Sequence, residues 1–161
     1  MKLALITGAT KGIGRSTTHT FAKAGWNLIL LARDIQKLQE LKNELINTGV
    51  EINLLAVDLS KSDKINKLLN QCIKSCGCPT VVINNAGFAF NGDLVGMPLD
   101  KWQEIIQVNL TSVFQICSCL VPLMRIKGGL IINVSSHAAN NAFPKWGAYC
   151  VSKAALASFT K

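Results

Sequence analysis

Leu3-Ala4-Leu5-Ile6-Thr7-Gly8-Ala9-Thr10-Lys11-Gly12-Ile13-Gly14 begins with four apolar residues that run straight into a glycine-rich turn. An apolar block with no polar alternation reads as a strand buried on both faces, the habit of parallel sheets. Gly14 to Ala24 reads as a helix closed by Gly25. The same alternation then repeats outward along the chain. Asn27 to Leu31, Ile52 to Val57, Val81 to Ile83 and Leu130 to Val134 read as further strands. Between them, Asp34 is placed to cap a helix whose stripe Ile35, Leu38, Leu41, Leu45 steps by helical spacing, and Gly49 stands where a helix end wants positive φ. Ile65, Leu68, Leu69, Cys72 and Ile73 mark another helix. A long one is expected around Trp102 to Leu120, ended or kinked by Pro122. Strands alternating with helices predict an α/β fold, a Rossmann-like doubly wound parallel sheet with helices on both faces. No repeat or composition break divides the chain, so residues 1–161 read as one domain.

Composition narrows the class. At 161 residues, 49% hydrophobic and only 16% charged, the chain can bury a core, which excludes intrinsic disorder. Twelve glycines and four prolines without period exclude a collagenous chain. No apolar run approaches the roughly 18 residues of a membrane span. The N-terminus has too few apolar residues for a signal peptide, so a cytoplasmic location and reduced cysteines are expected. Cys72, Cys76 and Cys78 form a C-x3-C-x-C run without paired C-x2-C spacing, and His19 and His137 are distant, so no metal is expected. The net charge of +8 comes from scattered lysines with no dense basic run, which argues against nucleic acid.

The turn itself suits a phosphate. Gly8, Gly12 and Gly14 allow close backbone approach, Thr10 and Lys11 are polar, and the following helix offers free N–H groups. Its G-x3-G-x-G spacing differs from G-x-G-x-x-G, and an ordinary glycine-rich loop is the alternative. A cofactor with a free ribose 2′-OH usually meets an acid about 20 residues on. Ala32 and Arg33 stand there instead. A guanidinium pairs with a 2′-phosphate, and Lys11 adds a second charge, so NADP(H) is favoured over NAD(H).

Tyr149, the only tyrosine, and Lys153 are spaced to share a helix face. An ammonium close to a phenol favours its ionised form, and such a phenol can exchange a proton with a carbonyl oxygen. Alone, this pair is a common accident. Here it closes an ordered series: the glycine turn, Asn84-Asn85-Ala86-Gly87, Asn109, Asn133-Val134-Ser135-Ser136, then Tyr149 and Lys153. That series resembles the short-chain dehydrogenase/reductase family, and within it the 3-oxoacyl-thioester reductases and general ketoreductases. The resemblance spans essentially the whole chain. It implies that Ser136 polarises the substrate oxygen, Asn109 holds a water in a proton relay, Tyr149 is the general acid/base, and Lys153 also binds the nicotinamide ribose. It further implies that Gly12 and Ile13 line the pyrophosphate turn, Asp58 meets the adenine, and Asn85, Ala86 and Gly87 wall the cofactor. A small carbonyl or alcohol is the implied substrate, with a homo-oligomer possible.

Family members continue with two further strands and a substrate-covering segment, whereas this sequence ends at Lys161, twelve residues past Tyr149. The sheet is therefore expected to lack its final strands and to leave an exposed edge and an uncovered apolar face at strand five. Three readings stay open: an NADPH-dependent carbonyl reductase, a dinucleotide-binding fragment without turnover, and a non-catalytic interaction module. His137, Asn140, Phe143 and Trp146 are pocket residues that do not decide the substrate, and His137 reads as a loop residue.

Overall fold

The computed structural model describes residues 2–161, the side chains of residues 62 and 63 excepted. The elements are β1 (Leu3–Thr7), α1 (Gly12–Lys23), β2 (Asn27–Ala32), α2 (Ile35–Glu44), β3 (Ile52–Ala56), α3 (Ser62–Cys76), β4 (Val81–Asn84), α4 (Leu99–Ile106), α5 (Ser112–Lys127), β5 (Leu130–Asn133) and α6 (Gly147–Phe159). The strands lie in the order β3-β2-β1-β4-β5, all pairs parallel, with Ile6 opposite both Leu30 and Ile83. The chain winds outward from β1 in one direction, then returns to lay β4 on its other side. That reversal opens a crevice at the carboxyl ends of β1 and β4.

Each central strand is apolar throughout, yet the pleat sorts its side chains into two cores. Leu3, Leu5, Ile29 and Leu31 point to the face shared by Ile65 and Leu69 of α3 and Ile116 and Leu120 of α5. Ala4, Ile6, Leu28 and Leu30 point to the other, against Ala22 of α1 and Leu38 and Leu41 of α2. Burying each such leucine or isoleucine contributes about 1.5–3 kcal/mol. Helix ends follow the expected chemistry. The Asp34 carboxylate accepts from the N–H groups of Gln36 and Lys37 at 2.9 and 3.1 Å, and Gly25 and Gly49 take φ of 74° and 70°.

The long helix differs from expectation. Residues 99–127 form one continuous rod interrupted by a π turn at Gln107–Thr111. Pro122 does not end it. The carbonyl that loses its N–H partner belongs to Ser118 on the exposed side, where water can satisfy it. By length and composition this 29-residue rod, with a mean hydropathy of 1.5 over its most apolar 18 residues, could also cross a membrane, against the expectation of no such stretch. Its residues Val113, Ile116 and Leu120 are instead buried within this domain. β5 pairs only with β4 among the described residues, and Leu130 and Ile132 remain 54% and 40% exposed, as expected of an uncovered edge.

Candidate active site

The crevice is a cleft of about 500 Å³ whose floor is the glycine turn. Gly8 has φ +64°, and a Cβ there would stand 3.0 Å from Ala86 Cα. A Cβ on Gly14 would fall 2.2 Å from the Gly8 carbonyl oxygen, so α1 can seat on the turn only because residue 14 has no side chain. Lys11, the residue before α1, makes no side-chain cap, which leaves the first N–H groups of the helix to other acceptors. Sequence reasoning missed Thr7, the buried pin of this arrangement. Its hydroxyl accepts from the N–H groups of Asn85 and Ala86 at 3.0 and 2.9 Å. A polar residue ending an otherwise apolar strand was the available signal.

The Asn85 carboxamide donates to the carbonyls of Thr7 and Gly8 at 3.0 and 3.3 Å, so it ties two loops together, while Ala86 and Gly87 line the cleft. Gly12 and Ile13 also stand outside the lining. Gly12 has φ +52° in open space, and the Ile13 side chain is exposed because it points away from both cores. Thr10, Lys11, Arg33 and Asp58 do line it. Arg15 and Lys37, not foreseen, line it too. Arg15 is bonded to Glu44, and Lys37 lies 3.8 Å from Asp34. Burial pushes the Asp58 carboxyl up, but two hydrogen bonds from Ser60 and the charges of Arg33 and Lys61 prevail and hold it below the ordinary value. Asp58 thus also anchors its own loop.

Beyond Gly87, outside the cleft's own lining, α6 carries Tyr149 and Lys153 one turn apart. Lys153 is 4% exposed, and its ammonium donates to the Val134 carbonyl at 2.7 Å and lies 5.7 Å from the centre of the Tyr149 ring. Burial lowers its pKa. Trp146 meets the Tyr149 ring edge-on at 5.5 Å. Gly87 joins the cleft to that helix: a Cβ there would stand 3.2 Å from Asn109 Oδ1 and 3.6 Å from Lys153 Nζ.

Asn109 is fully buried inside the π turn. Its Oδ1 accepts from the Phe88 N–H at 3.0 Å, and its Nδ2 donates to the Phe88 carbonyl at 2.9 Å and the Ser152 hydroxyl at 3.0 Å. That hydroxyl donates in turn to the Tyr149 carbonyl at 2.7 Å. Asn109 and Ser152 therefore brace the loop after β4 against α6, and Ser152 escaped the sequence reading. Ser136 caps the short 3₁₀ turn His137–Ala139, accepting from the Ala138 N–H at 3.1 Å, and that turn packs on α6. His137 is exposed in the same turn.

Comparison with known proteins decides the family. The model of the family described as short chain dehydrogenase matches residues 2–161. The chain belongs to the short-chain dehydrogenase family. Similar proteins include the 3-oxoacyl-(acyl-carrier-protein) reductase FabG of Chlamydia muridarum, 29% identical over 99% of this chain and 65% of that protein. Among solved structures, a metagenomic short-chain oxidoreductase in complex with NADP superposes with a TM-score of 0.93 at 34% identity, covering 98% of this chain and 72% of that one. An NAD⁺-bound xylitol dehydrogenase does so with a TM-score of 0.90 at 25% identity, covering 99% and 62%. The chain thus spans between 52% and 66% of the length of the curated family members it matches.

Proposed function

We propose that this chain carries the site of an NADP(H)-dependent oxidoreductase acting on a ketone or secondary alcohol of the 3-oxoacyl-thioester or general ketone class. One observation carries the reading: α6 holds Tyr149 and a buried Lys153 one turn apart, with Gly87 linking them to a glycine-floored cleft. The residues present fit a dinucleotide. Gly8 and Gly14 let the turn close against Ala86 and α1 where a Cβ would clash, and the uncapped start of α1 offers N–H groups to a pyrophosphate. Lys11 and Arg33 supply positive charge for a 2′-phosphate, and of the similar proteins one is solved with NADP and another with NAD⁺. A nicotinamide held there would supply or accept hydride at the substrate carbon.

The remaining work falls to the chain. Tyr149 Oη gives a proton to the carbonyl oxygen, or takes it in the reverse direction. Ser136 donates a hydrogen bond to that oxygen. Lys153 holds positive charge beside the phenol and binds the ribose, and Asn109 keeps the loop and helix in register around them. Thermal melting tests the binding half: NADPH at about a hundredfold its Kd should stabilise the fold by roughly 2.7 kcal/mol, several degrees at this size, and NADH by less. Tyr149→Phe tests the chemistry by abolishing reduction of a carbonyl substrate while keeping that shift. A shift without turnover in the unsubstituted chain would favour a dinucleotide-binding domain. No shift with either nucleotide would overturn both.

A further inference from the structure

The end of the molecule opposite the cleft, where α3 runs into β4, gathers four of the six cysteines. Cys72 and Cys76 stand one turn apart on α3, Cys78 follows in the loop, and Cys119 comes from α5, whose packing against α3 places it nearby. The first two are distinctive. Their Sγ atoms are 3.5 Å apart, and Cys76 also donates to the Cys72 carbonyl at 3.0 Å, which holds both side chains on one side of the helix. Both thiols are half-buried, so they face solvent without being loose.

That spacing separates two chemistries. A disulfide needs sulfurs about 2 Å apart and Cβ atoms roughly 3.5–4.5 Å apart. Residues four apart on a helix hold their Cβ atoms about 5–6 Å apart, so bond formation would require unwinding the last turn of α3. Two thiolates on one tetrahedral d¹⁰ cation, with metal–sulfur bonds of about 2.3 Å, are about 3.8 Å apart. The pair meets that edge with a few tenths of an ångström of side-chain adjustment and no change of backbone.

We propose that Cys72 and Cys76 form a two-thiolate chelate for a soft divalent cation, separate from the dinucleotide cleft. The step balances simply: the cation forms two metal–sulfur bonds, each thiol releases its proton to water, and no electron is transferred. Thiolate ligands select soft ions. A cation that binds the pair displaces the thiol protons. Among the described residues no group of three His, Cys, Asp or Glu side chains is placed to hold a metal, so water completes the shell.

Cadmium(II) is the probe, added to the reduced 161-residue chain while the ultraviolet thiolate-to-metal charge-transfer band is followed. One cation per chain is expected, with two protons released. Cys72→Ser or Cys76→Ser should each weaken binding by about a hundredfold, the loss of one arm of a chelate. Cys78→Ser and Cys119→Ser should leave it intact. Cadmium NMR of the unsubstituted chain counts sulfur ligands independently of any variant, and two are expected. Binding indifferent to residues 72 and 76, a shell of four sulfurs, or no stoichiometric band would overturn the proposal.

Discussion

β1 and β5 are equally apolar strands of one sheet, Leu-Ala-Leu-Ile-Thr against Leu-Ile-Ile-Asn, yet their fates diverge. Every residue of β1 is buried, whereas β5 alternates between half-buried and exposed. The cause is not in the strands. β1 has a strand on each side and helices over both faces, while among the described residues β5 has one neighbour, α5 and α6 over one face, and only partial cover for Leu130 and Ile132. Burial here is conferred by neighbours, and β1 at the centre of the sheet has its full set.

The sharpest test of that contrast is cavity formation. Leu5→Ala, in a side chain with no exposure, should destabilise by about 2–5 kcal/mol, read by denaturant unfolding. Gly14→Ala comes next. Its Cβ would meet a backbone oxygen that cannot rotate away, so about 1–3 kcal/mol should be lost, together with most of the NADPH-induced thermal shift. The pH dependence is smaller. Because the folded pKa of Asp58 is depressed, its contribution is complete above the ordinary carboxylate pKa near 3.9 and disappears as pH falls through the folded value. Asp58→Asn should flatten the acid limb of the stability curve by less than about 1 kcal/mol. Ile132→Lys should leave stability within about 0.5 kcal/mol but reduce self-association, measured by sedimentation. Equal losses at Leu5 and Ile132 would break the comparison.

The same contrast governs what the sequence discloses. The five strands, the Asp34 cap and the glycine turn are written in local pattern, because period, capping chemistry and positive φ act within a few residues. Tyr149 and Lys153 were legible through helical spacing. Thr7, Ser152 and the bracing work of Asn85 and Asn109 were not, since each depends on a partner 3 to 79 residues away that no local pattern announces. Arg15 and Lys37 joined the cleft for a similar reason: α1 and α2 bring them to it. The π turn was invisible because its residues, Gln107 to Thr111, are ordinary helix formers as far as apolar spacing shows.

That π turn makes the long rod a phase-shifted object. A single wide turn carries one residue more than the regular helix, and each residue corresponds to about 100° of rotation. Deleting any one residue between 107 and 111 would restore a regular helix and swing everything upstream by that angle relative to α5. Ile105 would leave the interior and the Asn109 amide would lose Phe88 together with Ser152. One codon's worth of length thus sets the angular registration between the loop after β4 and the helix that carries the tyrosine.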